Sequence, residues 1–361
     1  MAADFVQSPD SRAALSLISP HVPEEVAGPG VGVGLYRGEQ VKPGALPGVL
    51  IGSNRVWRDG KEMITTVETV FPAGSVAAMS GEESESLGLA ARCWLGASSL
   101  TMAVVGLGAK FILRGMNTTV VHGREHLDRI FEAGQQGPVI SVINHDSCFD
   151  DPGVWGALLS PAQLANTSRM RWGASASEVI FINRPLETFW KLGKVIPIVR
   201  GWGVEQPAMK FLQERLDRGG WVNIFPEGKV TEADGVGACR WGVGRLIWNS
   251  SSSPAILPVI HIGMNKILPN PSSDQEKQSY VMRPGNLVTV NVGQPVQLEE
   301  MVRDLRERGV DAVQARRELT REVQTVMERL YEETRQLHRQ NIVKWLTKWH
   351  DQLDLTPSVL T

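Results

Sequence analysis

The sequence has little of what marks several large classes of protein. Its 361 residues hold three cysteines, Cys93, Cys148 and Cys239, far apart and without paired ligand spacing. That excludes a disulfide framework and a cysteine-based zinc site. Lysine and arginine (37) nearly balance aspartate and glutamate (39), for a net charge of −2. The basic footprint of a general nucleic-acid binder is missing, so no nucleic-acid partner is expected and phosphate recognition has to be local. Met1 to Ser19 carries Asp4 and Asp10 and has no basic start followed by a long apolar core, so neither a secretory signal nor a mitochondrial presequence is expected there. The uncharged run Cys93 to Ala109 is short of the ~20 apolar residues of a spanning helix, and no internal repeat stands out.

What the sequence does hold is concentrated in one stretch, Ile140 to Pro152. An apolar β-favouring run, Val139 to Ile143, delivers Asn144 and His145 to a polar turn, and Pro152 opens a helical pattern through Val154, Trp155, Leu158 and Leu159. Proline pushes the preceding residue towards an extended backbone, so Asp151 reads as the N-cap with Pro152 at the first helical position. On a regular helix the five-residue spacing from His145 to Asp150 would put them roughly 140° apart, so a turn has to bring them together. A histidine held by a carboxylate has one ring nitrogen oriented and the other free as a base, the wiring that activates a hydroxyl. The plain alternative is a polar turn whose aspartates cap the helix. Cys148 lies near His145 in sequence, but beside Phe149 it reads as a packing residue.

Residues 1 to 88 are rich in Gly, Pro, Ser and acidic groups and read as a flexible extension, with short strands open at Val49 to Trp57 and Met63 to Val70. The Cys93 to Ala109 run, flanked by Arg92 and Trp94 on one side and Lys110 and Arg114 on the other, reads either as a buried core helix or as a helix lying in one leaflet. We take residues 89–115 as an interfacial anchor. Strands at Thr118 to His122, Val139 to Ile143, Val195 to Val199, Trp221 to Phe225, Ala255 to Ile262 and Asn286 to Val292 are separated by helical patterns such as Arg124 to Ala133 and Met209 to Leu216. Gly219 and Gly220 stop the second of these. The fold class is therefore α/β, a mixed sheet flanked by helices, in which sites gather at strand ends. Both the Asn144-His145 turn and the Pro226-Glu227-Gly228 turn fall at such ends. The charged tail, residues 297–361, reads as packing helices.

Three ordered blocks resemble the glycerolipid acyltransferases: Asn144 to Pro152 with a His and an Asp separated by four residues, Phe181-Ile182-Asn183-Arg184, and Phe225-Pro226-Glu227-Gly228. Further matches, including Leu192-Gly193-Lys194, Trp241 to Ile247 and His261 to Asn265, are most similar to the family's cardiolipin-remodelling branch. Residues 116–296 would then be the acyltransferase domain. The resemblance implies a phospholipid–lysophospholipid transacylase of mitochondrial membranes, outer and inner on the intermembrane-space side, acting on cardiolipin and monolysocardiolipin without coenzyme A, cofactor or metal. His145 would be the general base and Asp150 its orienting partner. Asn144, Ser147, Phe225, Pro226, Glu227 and Gly228 would shape the substrate site, and Arg184, Arg200 and Lys229 would meet phosphate, with Arg240 and Arg245 as further cations. An acyl-CoA-dependent acyltransferase would use the same His and Asp, and a non-catalytic membrane scaffold would need neither.

Overall fold

Five consecutive buried residues, Val139 to Ile143, form an interior strand of the main sheet, as expected of a strand covered on both faces. This is a computed structural model that describes residues 32–34, 48–52, 55–58, 61–64, 71–72, 74–81, 88–132, 137–180, 182–231, 234–271 and 280–352. The chain forms two units, one of residues 72–173, 192–194 and 211–361, the other of residues 1–71, 174–191 and 195–210.

The smaller unit contains a four-stranded sheet, β1 (Gly32–Gly34), β2 (Gly48–Gly52), β3 (Arg55–Arg58) and β4 (Lys61–Ile64). The strand expected near Val49 to Trp57 is thus two strands of a hairpin, and Met63 lies in β4, while residues 65–70 are outside the described set.

In the larger unit the sheet runs β5 (Thr118–His122), β11 (Leu287–Val292), β10 (Ala255–Ile262), β6 (Val139–Ile143), β9 (Trp221–Ile224), with β12 (Val296–Gln297) also on β10. It is mixed: β6 is parallel to β9 and β10, β5 is parallel to β11, and β10 and β11 are antiparallel. Consequently β6 and β9 both end at the edge where the Asn144-His145 and Pro226-Glu227 turns begin.

One face of the sheet is covered by a core of Leu113, Leu127, Ile143, Phe149, Trp155, Leu158, Leu257, Val259 and Val290. On this side α2 (Leu89–Phe111) packs against α4 (Asp150–Leu158) and α5 (Pro161–Ala165). The other face receives the long α12 (Ala312–Gln352), which packs on β10, β11 and α9 (Gly242–Asn249). Buried polar bonds fix α12 there, from Thr289 Oγ1 to His338 Nδ1 (2.9 Å) and from Asn291 Nδ2 to Thr334 Oγ1 (3.2 Å). The charged tail is therefore mostly one continuous helix on the sheet, preceded by α11 (Glu299–Glu307).

With its π-helical extension, α2 is longer than its uncharged run suggests. Leu89–Met116 makes 28 helical residues, long and apolar enough by length and composition to cross a membrane. Its stripe Ala91, Ser98, Met102, Gly106 and Ala109 is buried, whereas Leu89, Leu100, Val104, Leu107 and Phe111 are exposed on the opposite side. Glycines allow the close approach beneath: a Cβ on Gly156 would sit 2.8 Å from that of Ala109, and one on Gly106 would sit 2.6 Å from Leu164. The helix that carries Asp150 thus touches the apolar helix through backbone.

Candidate active site

The turn after β6 closes on the side chain of Asp150. Its Oδ2 accepts from the main-chain N–H of Asp146 and of Ser147, each at 2.9 Å, and lies 2.9 Å from His145 Nδ1. The five-residue spacing that a helix would have splayed is thereby gathered around one carboxylate oxygen. Asp150 is fully buried, while the His145 side chain keeps 22% of its surface. With Nδ1 donating to Asp150, Nε2 of His145 is the free acceptor, and it has no partner among the described residues. The ring stacks on Phe225, with centroids 4.3 Å apart and planes at 26°.

The second turn locks onto the first. Glu227, buried in the turn after β9, accepts the His145 N–H at 3.1 Å, and the His145 carbonyl accepts from Thr231 N at 2.7 Å. Gly228 supplies the left-handed backbone (φ +70°) that closes the turn, with its N–H bonded to Phe225 O at 3.1 Å. Pro226 is buried and its carbonyl accepts from Arg240 N at 2.7 Å. The main-chain carbonyl of Glu227 lies 3.5 Å from Arg240 Nε, leaving Lys229 and Arg240 exposed beside Gly228. His145, Asp150, Phe225, Glu227, Gly228 and Lys229 therefore share one corner.

Other residues have different surroundings from those the sequence suggested. Asn144 is buried and bonds the main chain of His261 through both ends of its amide, at 3.0 and 2.9 Å, joining β6 to β10. The Ser147 hydroxyl, also buried, donates to Leu268 O at 2.9 Å and accepts from Phe149 N at 3.1 Å. Both side chains hold the turn from within. Arg245 is buried in α9 and is no surface cation. Asp151 does have the extended backbone that proline demands (φ −112°, ψ 105°), but its carboxylate pairs with the buried guanidinium of Arg171 and caps nothing. Arg184 and Arg200 belong to the smaller unit, where Arg184 opens a helix and Arg200 lies 3.5 Å from Glu178. Phe181 of the second block is outside the described residues.

One residue of the corner had no role assigned from the sequence. His261, at the end of β10, is fully buried, with Nε2 3.3 Å from Asp150 Oδ1 and Nδ1 3.4 Å from Asp146 Oδ1. Its signal was a polar residue at the end of an apolar strand, the same pattern as Asn144 and His145. Against burial, which favours the neutral form, the charges of Asp150 and Asp146 raise the His261 pKa to about 9. Asp150 is likewise held below the usual carboxylate range although burial opposes it, by the charge of His261 and the hydrogen bond from His145. Burial pushes Asp146 up, with His261 opposing and Asp150 and Glu227 reinforcing it.

Asp146, Asp150 and His261 form the group among the described residues whose donor atoms lie close enough to hold an ion. They do not fit one. The two carboxylates face different nitrogens of the same ring, so an ion on either nitrogen would meet one carboxylate and leave the other beside the far nitrogen.

A family model described as Acyltransferase matches residues 118–262, which begin at β5 and end at β10. Tafazzin of Drosophila melanogaster is 39% identical over 68% of this chain and 64% of its own length. The N-acylphosphatidylethanolamine synthase of Arabidopsis thaliana is 33% identical over 56% of this chain and 71% of its own. A taffazin of Dictyostelium discoideum is 36% identical over 46% and 60% respectively. The chain thus spans less than two thirds of the length of these two tafazzins.

Proposed function

Since the chain belongs to the glycerolipid acyltransferase family, in its tafazzin group, we propose that it is a phospholipid–lysophospholipid transacylase that remodels cardiolipin acyl chains. The observation that carries this reading is the His145 Nδ1 to Asp150 contact of 2.9 Å, which leaves Nε2 free at a partly open corner. Nε2 takes the proton from the free glycerol hydroxyl of a lysophospholipid such as monolysocardiolipin, and the oxygen attacks the ester carbonyl of a second phospholipid. Asp150 stabilises the imidazolium that forms. The same nitrogen returns the proton to the departing glycerol alkoxide, so one ester bond forms, one breaks, and no acyl-enzyme is needed.

The Gly228 turn admits the acceptor closely, and Lys229 and Arg240 at the rim attract its phosphate. We assign residues 89–115 as an interfacial anchor. The exposed row Leu89, Leu100, Val104, Leu107 and Phe111 enters one leaflet while the opposite stripe stays on the domain, which supports an in-plane helix over a spanning one. Donor and acceptor then come to the corner from lipid, and water is kept from the ester. Mitochondrial membranes, on the intermembrane-space side, are the site of action that similarity to tafazzins supports.

The test is transfer from a labelled diacyl phospholipid to monolysocardiolipin by the purified protein, with coenzyme A absent. Labelled cardiolipin is the expected product. Transfer that occurs only from acyl-CoA overturns the transacylase in favour of an acyl-CoA-dependent enzyme, and absence of both rejects catalysis.

A further inference from the structure

The base pair of the site has a second imidazole behind it. His261 is fully buried, and its ring nitrogens face one main-chain carbonyl and two carboxylates. Nε2 lies 3.1 Å from the Asn144 carbonyl and 3.3 Å from Asp150 Oδ1, and Nδ1 lies 3.4 Å from Asp146 Oδ1. A neutral imidazole carries one N–H and one lone pair. With both carboxylates ionised, the bare nitrogen of either tautomer would face an oxygen lone pair inside the protein, leaving buried acceptors without a donor. The imidazolium offers an N–H to both sides, whereas a neutral ring would need the proton to sit on Asp146 instead.

The charge balance of the reaction points the same way. To act as a base His145 has to begin neutral, so it cannot be the counter-ion of Asp150 before the proton moves. A fully buried carboxylate without a positive partner is costly, and the Asp150 contacts of His145, Asp146 and Ser147 are all on its other oxygen. His261 is the group that reaches Oδ1. The titratable groups facing this ring are Asp146 and Asp150, and beside those carboxylates stand His145, Glu227 and, from α12, Tyr331.

We propose that His261 is a standing imidazolium that acts as a positioning residue of the transfer reaction: it keeps Asp150 ionised, so that the opposite carboxylate oxygen holds His145 with Nε2 free. The role in turnover rests on the function proposed above, whereas the charge state of His261 does not.

The experiment is nitrogen NMR of the full-length protein with 15N-labelled histidine, in wild type and in Asp146→Asn, joined to pH profiles of kcat/KM for wild type and His261→Gln. At about pH 7.5, a unit above the ordinary histidine range, both ring nitrogens of His261 are expected to carry protons. In Asp146→Asn the loss of the second proton moves down by about one pH unit, because one of the two facing carboxylates is gone. Replacing His261 by glutamine keeps a donor but removes a positive charge behind Asp150, so the acid limb of kcat/KM moves up by about one pH unit, with activity falling about tenfold more at low pH than at high pH. A bare ring nitrogen at His261 at about pH 7.5, or an unmoved titration in Asp146→Asn, overturns the proposal. A loss in His261→Gln that is equal at every pH assigns a purely structural role and overturns the positioning claim. If no lipid transfer is seen from any donor, the function fails while the NMR result still decides the charge of His261.

Discussion

Two side chains five residues apart do different physical work although they touch. His145 is partly open and its ring contributes a stacking contact with Phe225, so His145→Ala should cost less than about 1 kcal/mol of stability while lowering kcat by a factor of about 10² to 10⁴, the usual worth of a positioned base. Asp150 is buried with three donors on one oxygen and an imidazole at the other. Asp150→Asn presents an N–H₂ to some of those donors, so activity should fall together with about 2 kcal/mol or more of stability. Thermal melts beside steady-state rates check the contrast, and equal melting-point losses in the two variants would contradict it. Asn144 and Ser147 differ from both. Their polarity serves the turn itself, which the motif spacing could not reveal, because a polar residue beside a reactive one is read the same way whether it faces substrate or the protein interior.

Between elements, the decisive contact is that of α2 with α4. Gly156 lets the backbone of α2 lie directly on the helix that begins at Asp150, and a Cβ there would come within 3.0 Å of Lys110 N. Gly156→Val should cost about 1–3 kcal/mol through overpacking and shift the melting point downwards. Val104 lies on the opposite side of α2 and is 60% exposed, so Val104→Asp should leave the melting point unchanged and weaken binding to phospholipid vesicles by at least about tenfold, measured by co-sedimentation. Unaltered vesicle binding in Val104→Asp would remove this helix from the membrane contact. The run Cys93 to Ala109 suggested too short a helix. Its composition fell below a spanning pattern, while docking of small residues against α4 and α5 lets the helix extend from Leu89 and continue through a π turn to Met116.

For the molecule as a whole, the buried charges link folding to pH. An unfolded histidine loses its proton near 6.5, whereas folded His261 keeps it to about 9. Its contribution is therefore fully present below about 6.5 and is lost as pH rises through about 9, on the order of 3 kcal/mol in all. Lys194, whose burial holds its amine well below the usual lysine range, works in the opposite sense at alkaline pH. The quantity to measure is thus the difference in unfolding free energy between wild type and His261→Gln, which should shrink as pH rises through this window. A constant difference would show that His261 carries no extra proton in the folded state. At this scale the sequence by itself determined the class of fold, because apolar runs of strand length between helical patterns leave few ways to bury both faces of a sheet. It also singled out the short blocks that meet at the candidate site, because His145, Asp150 and the Phe225 to Gly228 turn are polar or conformationally special residues at the ends of apolar runs. Only the tertiary structure decided that β6, β9 and β10 lie side by side in parallel and bring His261, 116 residues along the chain from His145, behind Asp150. Strand order and the direction of a buried side chain arise from long-range pairing, and local spacing along a chain carries no record of them.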